Sequence, residues 1–225
     1  MSFKIAASVL LFYALAINAF QDEKVLNHTD SQGKKQGHWI RKYPNGNVMY
    51  EGIFKDDHPE GEFKRYYENK VLKSLLVFSS DGTEAAAVLY YPNGYKASEG
   101  KYIRQLKNGN WRFFSSVTEG LLISEVDYAN DKIHGWSVKY YPDSVIAEKQ
   151  NYSDGIKNGD WLKYHPGGSL HFKTSYQNGR LHGKFEAFFE DSRPEVTGQY
   201  KNDRKEGTWF IYRKDGTVKF KTEYI

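Results

Sequence analysis

The sequence predicts an all-β protein, an elongated open antiparallel sheet of about eight β-hairpin repeats of 24 residues. Three observations carry this. Glycines recur at Gly37, Gly61, Gly109, Gly135, Gly159, Gly183 and Gly207, with spacings of 24, 48, 26, 24, 24 and 24. Rings hold fixed places around them. Between Gly- and Asn-rich turns, apolar and polar side chains alternate with a period of two, the mark of a half-buried strand and not of a helix.

In chain order, Met1 to Phe20 read as an address. Lys4 precedes an uncharged run of 13 residues, Ile5 to Ile17, and Asn18-Ala19-Phe20 leads into Gln21-Asp22-Glu23. A positive start, an apolar stretch and small residues before an acidic segment predict a secretory signal peptide cleaved near Ala19 or Phe20. The apolar run falls short of the roughly 20 residues a membrane span needs. The expected location is therefore secreted or periplasmic, without stable membrane insertion. Residues 21–32 read as a loose lead-in and 33–225 as the repeat array.

Within the array, an aromatic lies seven residues before each period position from the second onward: Phe54, Phe78, Tyr102, Tyr128, Tyr152, Tyr176 and Tyr200, with Tyr224 continuing the series. Two residues after it come Trp39, Phe63, Trp111, Trp161, Phe185 and Trp209. Five after it come Tyr66, Tyr90, Phe114, Tyr140, Tyr164, Phe188 and Tyr212. Tyr43-Pro-Asn-Gly46, Tyr91-Pro-Asn-Gly94 and His165-Pro-Gly-Gly168 supply one turn of each unit; Asp81-Gly82, Asp154-Gly155 and Asn178-Gly179 supply the other. Gly and Asn accept the positive φ of tight hairpins. A single sheet has no second layer, so stability must come from contacts between neighbouring repeats. The rings are the expected core, with the period glycines offering bare backbone for them to lie on.

The motif Gly-x-Trp/Phe-x-x-Tyr/Phe with a following Asn-Gly turn, as in Gly37-His-Trp39 with Asn45-Gly46 and Gly159-Asp-Trp161 with Asn178-Gly179, resembles the bacterial MORN-repeat variant and the YwqK-type antitoxin family. That resemblance implies the hairpin-repeat fold and an association with protein binding and scaffolding.

Chemistry is sparse. Cys is absent, which excludes thiolate catalysis, disulfides and Cys-based metal sites. A formal charge of +4 is too mild to predict nucleic-acid binding. His134 and His182 sit before period glycines, where other units carry Gln, Glu or Asn, so both read as solvated turn edges. His165 and His171 could approach across a hairpin, but no third ligand is placed beside them. No nucleophile motif, phosphate loop or paired-carboxylate arrangement stands out. The expectation is a non-catalytic protein without cofactor or metal.

Two breaks in the period are the informative places. In the third unit Ala85 replaces glycine and Ala87 the ring; in the fourth, two extra residues fall around Ser115 to Gly120, and there Ser137 holds the ring slot and Trp136 sits one place early, on the opposite parity. Either the repeats have drifted and repacked locally, or the gap at Ala85 and Ala87, bounded by Phe63, Trp111 and Trp136, forms a recess for a partner. A second candidate surface follows from parity: rings two and five residues after the glycine fall on opposite faces unless a bulge intervenes. One face would then expose Tyr66, Tyr90, Tyr140, Tyr164 and Tyr212. Exposed rings mark protein interfaces and can also stack on sugars. The expected function is binding of another envelope or secreted protein through that aromatic face, with a carbohydrate surface or a secreted antitoxin as alternatives.

Overall fold

The computed structural model describes residues 26–225; the expected signal peptide and the first part of the lead-in lie outside the described residues. The described chain contains strands and turns only. The first strands are β1 (His28–Thr29), β2 (Lys35–Lys42), β3 (Val48–Lys55), β4 (His58–Tyr66), β5 (Leu72–Phe78) and β6 (Glu84–Tyr90). Then follow β7 (Lys96–Ile103), β8 (Leu106–Phe114), β9 (Leu122–Ala129), β10 (Lys132–Tyr140), β11 (Ile146–Ser153) and β12 (Ile156–Tyr164). The last six are β13 (Leu170–Gln177), β14 (Arg180–Leu181), β15 (Gly183–Phe188), β16 (Pro194–Lys201), β17 (Arg204–Tyr212) and β18 (Val218–Tyr224). Antiparallel ladders join neighbours in sequence from β1 to β18, with β14 and β15 sharing β13 as one strand interrupted at His182. The result is one open sheet of hairpins, as the period predicts.

The lead-in is less loose than expected. β1 pairs with the start of β2, and Asn27 covers the next stretch of that edge. Its backbone N–H donates to the His38 carbonyl at 2.9 Å. Its side-chain Oδ1 accepts from the Ile40 N–H at 2.8 Å.

The period glycines do something other than bare the backbone. Gly61, Gly109, Gly159 and Gly207 have φ of +64°, +70°, +99° and +64°, and a Cβ added at Gly61, Gly109 or Gly207 would meet nothing within 4 Å. They form bulges. Gln150 faces Trp161 and Tyr152 faces Lys157, so Asn158, Gly159 and Asp160 oppose Asn151 alone. Such a bulge needs a left-handed residue, which glycine supplies without strain. The Ala85 break confirms this reading. β5 and β6 pair without interruption, and the spare residues sit in the longer turn between Phe78 and Glu84. Ser79 Oγ donates to Asp81 Oδ1 at 2.6 Å there, and the same carboxylate accepts the Thr83 N–H at 3.0 Å. Without a bulge, no glycine is required.

The rings lie instead over three other glycines. A Cβ added at Gly52, Gly100 or Gly198 would fall inside the ring of Phe63, Trp111 or Trp209 respectively. Each ring thus covers the residue eleven places before it. The same pairing at the two breaks puts Leu76 opposite Ala87 and Val126 opposite Ser137. Where the ring is missing, a branched aliphatic replaces the glycine. Ring contacts then run along this face from Trp39 through Phe54 and Phe63 to Phe78, and again from Trp161 through Phe172 and Phe185 to Trp209 and Tyr224. We call it the ring face. Trp111 is fully buried and Phe63 and Trp209 are each 5% exposed, so this face is the core of the sheet.

A lysine roofs each tryptophan of the row. Lys35, Lys107, Lys157 and Lys205 lie four residues before Trp39, Trp111, Trp161 and Trp209, with Nζ 5.0, 4.9, 5.4 and 4.4 Å from the ring centroids. The stem packs on apolar surface while the ammonium meets the negative ring face. The turns are tied across repeats as well. The hydroxyls of Tyr43, Tyr67, Tyr91 and Tyr141 donate to carbonyls 23 residues ahead at 2.8, 2.8, 3.1 and 2.8 Å. His165, which stands in a tyrosine's place, makes the same link from Nε2 to the Phe188 carbonyl at 3.0 Å.

Candidate partner-binding surface

The predicted site residues separate into two groups. Phe63, Ala85, Ala87 and Trp111 share the ring face and are all buried; Ala85 is 4% and Ala87 2% exposed. The gap in the ring row is therefore closed. Leu76 is paired with Ala87, and Trp111 covers the Gly100 on Ala87's other side. Of the two accounts of this break, local repacking describes the structure and an open recess does not. Trp136 belongs elsewhere: its parity puts it on the opposite face, with Tyr140.

That opposite face carries Tyr66, Tyr90, Tyr140, Tyr164 and Tyr212, as parity predicts. All five are half-buried and not exposed. The reason is visible at three of them. Tyr66 donates to Glu51 at 2.6 Å and Tyr140 to Glu125 at 2.7 Å, while the Tyr212 hydroxyl lies 3.4 Å from Thr197 Oγ1. In each case the partner is fifteen residues back, on the preceding strand. Arg112 extends one of these links, 2.8 Å from Glu99 and 3.4 Å from Glu125. Around Trp136 the face is more apolar. Val138 and Leu162 share it, and Lys149 Nζ stands 4.6 Å above the indole.

Burial, then the hydrogen bond to a carboxylate, push the hydroxyls of Tyr66 and Tyr140 up to about 12 from an ordinary 10.0. Tyrosine is neutral below its pKa, and the folded chain holds that proton more tightly than the unfolded one. This contribution is therefore complete below pH 10 and is lost as pH rises towards 12. Stability measured between those limits should fall less steeply for the Tyr66→Phe/Tyr140→Phe double variant than for the parent chain. Equal slopes would show that these links do not survive in solution.

The histidines divide. His165 and His171 do meet across their hairpin, with rings stacked at 4.4 Å between centroids. Burial, the neighbouring His165 and Lys163 lower the His171 pKa, against a smaller opposite pull from Glu195. Among the described residues no group of three His, Cys, Asp or Glu could hold a metal ion. His134 is exposed on β10, beside the bulge at Gly135 and not in a turn, with its Nδ1 3.4 Å from Asp154 Oδ1. His182 departs from the expected solvated edge. It is half-buried at the β14–β15 interruption, where Ser175 Oγ donates to its carbonyl.

Comparison with known proteins agrees with the hairpin period. The family model described as the MORN repeat variant matches residues 35–56, 59–79 and 157–178, so three of the units are similar to MORN-variant repeats. Repeats of that kind are often protein-binding. No curated protein matches the chain. Among solved structures it is similar to one titled "Crystal Structure of TcdB2-TccC3", at 13% identity and a TM-score of 0.21, over 82% of this chain and 12% of that one. The chain spans about an eighth of that protein's length, and a likeness at this level carries no functional argument. Among the described residues no helix is long and apolar enough to cross a membrane.

Proposed function

We propose that this is an exported, non-catalytic binding protein that engages another envelope or secreted protein through the face opposite its ring core. The observation that carries the reading is the placement of Trp136. Its unit gives up the core ring to Ser137 and carries an indole on the outer face instead, beside Tyr140 and beneath Lys149. A tryptophan with a cation above it, set among half-buried apolar neighbours, has the composition of an interface anchor. The ring face supports the same reading from the other side, because its rings are already spent on one another. Export rests on the residue pattern of the first twenty positions.

The test is affinity capture from a fractionated cell envelope, with the parent chain and Trp136→Ala in parallel. One stoichiometric protein, lost or weakened at least tenfold by Trp136→Ala, is the expected result, since an anchoring tryptophan is worth about 2 kcal/mol or more. Release by soluble glycan would move the reading to a carbohydrate surface. Capture of a toxin would move it to an immunity protein of the antitoxin kind. Unchanged binding by Trp136→Ala would remove this face from the account.

A further inference from the structure

Among the described residues the two outermost edges of the sheet differ. At one end, β1 and Asn27 occupy the outer edge of β2. At the other, β18 pairs only with β17, and no ladder lies on its outer side among the described residues. Its apolar side chains are correspondingly bare: Phe220 is 57% and Val218 47% exposed. The repeat itself shows what such a strand lacks. Phe172 holds the place of Phe220 two repeats earlier, and it meets Trp161 at 4.7 Å on one side and Phe185, from the following strand, at 5.8 Å on the other. Phe220 has only the first kind of neighbour available.

We propose that β18 is an interface between two copies of this chain, pairing antiparallel with its own counterpart about Thr222. In that register Thr222 faces Thr222, Phe220 faces Tyr224 twice on the ring face, and Lys221 faces Glu223 twice on the opposite face. All three are matches that stabilise cross-strand pairs: hydroxyl to hydroxyl, ring to ring, and opposite charges. Lys219 and Lys221 would discourage an unselected strand from adding here. Against β18 itself, Lys221 meets an acid. The twofold arrangement also closes, giving a dimer with one continuous sheet and no new edge. This interface is on the sheet's edge and is independent of the Trp136 face.

The test is sedimentation velocity of the purified chain over a concentration series, with Glu223→Lys and with the charge-swapped Lys221→Glu/Glu223→Lys. Glu223→Lys sets like charges opposite each other twice and also removes the acceptor of the 2.5 Å bond from Thr208 Oγ1. The expected result is a dimer, weakened about tenfold or more by Glu223→Lys and restored by the swap. Thermal unfolding of each variant checks that the fold is intact. Should either charge variant fail to fold, Phe220→Ser, which alters an exposed ring, should weaken the dimer in the same assay. A monomer at all concentrations, a dimer indifferent to Glu223→Lys, or one the swap does not restore would each overturn the proposal.

Discussion

Replacing Trp111 with alanine is expected to destabilise the sheet by about 3–5 kcal/mol, the usual cost of emptying a fully buried large ring. Trp111 is the most completely enclosed side chain of the array, at 0% exposure. Its indole lies on the Gly100 backbone, meets Tyr102 at 4.9 Å, and sits under Lys107. Its Nε1 donates to the Lys101 carbonyl at 3.1 Å. Truncation leaves a void over a glycine, which has no side chain to move into it. Because each repeat touches only its neighbours, the loss should be local first. Hydrogen exchange should quicken in β7, β8 and β9 before it does in β16 or β17. A uniform loss of protection would mean that the array unfolds as a single cooperative unit.

The second large effect is expected at Gly198. A Cβ there would enter the Trp209 ring, whose other side is occupied by Lys205. Gly198→Ala should therefore cost about 1–3 kcal/mol as overpacking, although alanine ordinarily favours a strand over glycine. Gly207→Ala is the comparison. It meets no neighbour but sits at a φ of +64°, so its cost should be the smaller one of left-handed backbone, about 1–2 kcal/mol. Denaturant titration of both variants separates the two roles of glycine. If Gly198→Ala is neutral, the ring does not rest on the backbone in solution.

Much of this fold could be read from residue types alone. The period, the paired turns and the opposite faces of the two ring rows follow from spacing, because alternation and turn chemistry are local properties. What escaped was the meaning of individual glycines. A glycine kept for positive φ and a glycine kept to admit a ring are the same letter, and only the neighbouring strand distinguishes Gly109 from Gly100. The match of Leu76 to Ala87 and of Val126 to Ser137 is visible as a size exchange at a spacing of eleven. It acquires meaning only once the register puts those residues side by side. The lysine four residues before each ring-row tryptophan would lie about 13 Å away along an unbroken strand, and only the bulge at the glycine between them brings it over the ring. The tyrosine row looked exposed because sequence parity places a side chain on a face without showing its partner on the preceding strand, Glu51 for Tyr66 and Glu125 for Tyr140. Parity sets Trp136 on the face opposite Phe63 and Trp111, so a recess bounded by all three cannot form.

The most direct test of the ring-face account is a double-mutant cycle at its natural break, with Ala87→Trp, Leu76→Gly and the two combined. The account predicts that each single change destabilises the sheet, Ala87→Trp by overpacking Leu76 and Leu76→Gly by leaving a cavity. Combined, they recreate the Gly100–Trp111 arrangement and should recover much of the loss, with a coupling of about 1–3 kcal/mol. A stable Ala87→Trp variant with no coupling to Leu76→Gly would mean that the surface over Ala87 is open, and it would contradict the closed core described above.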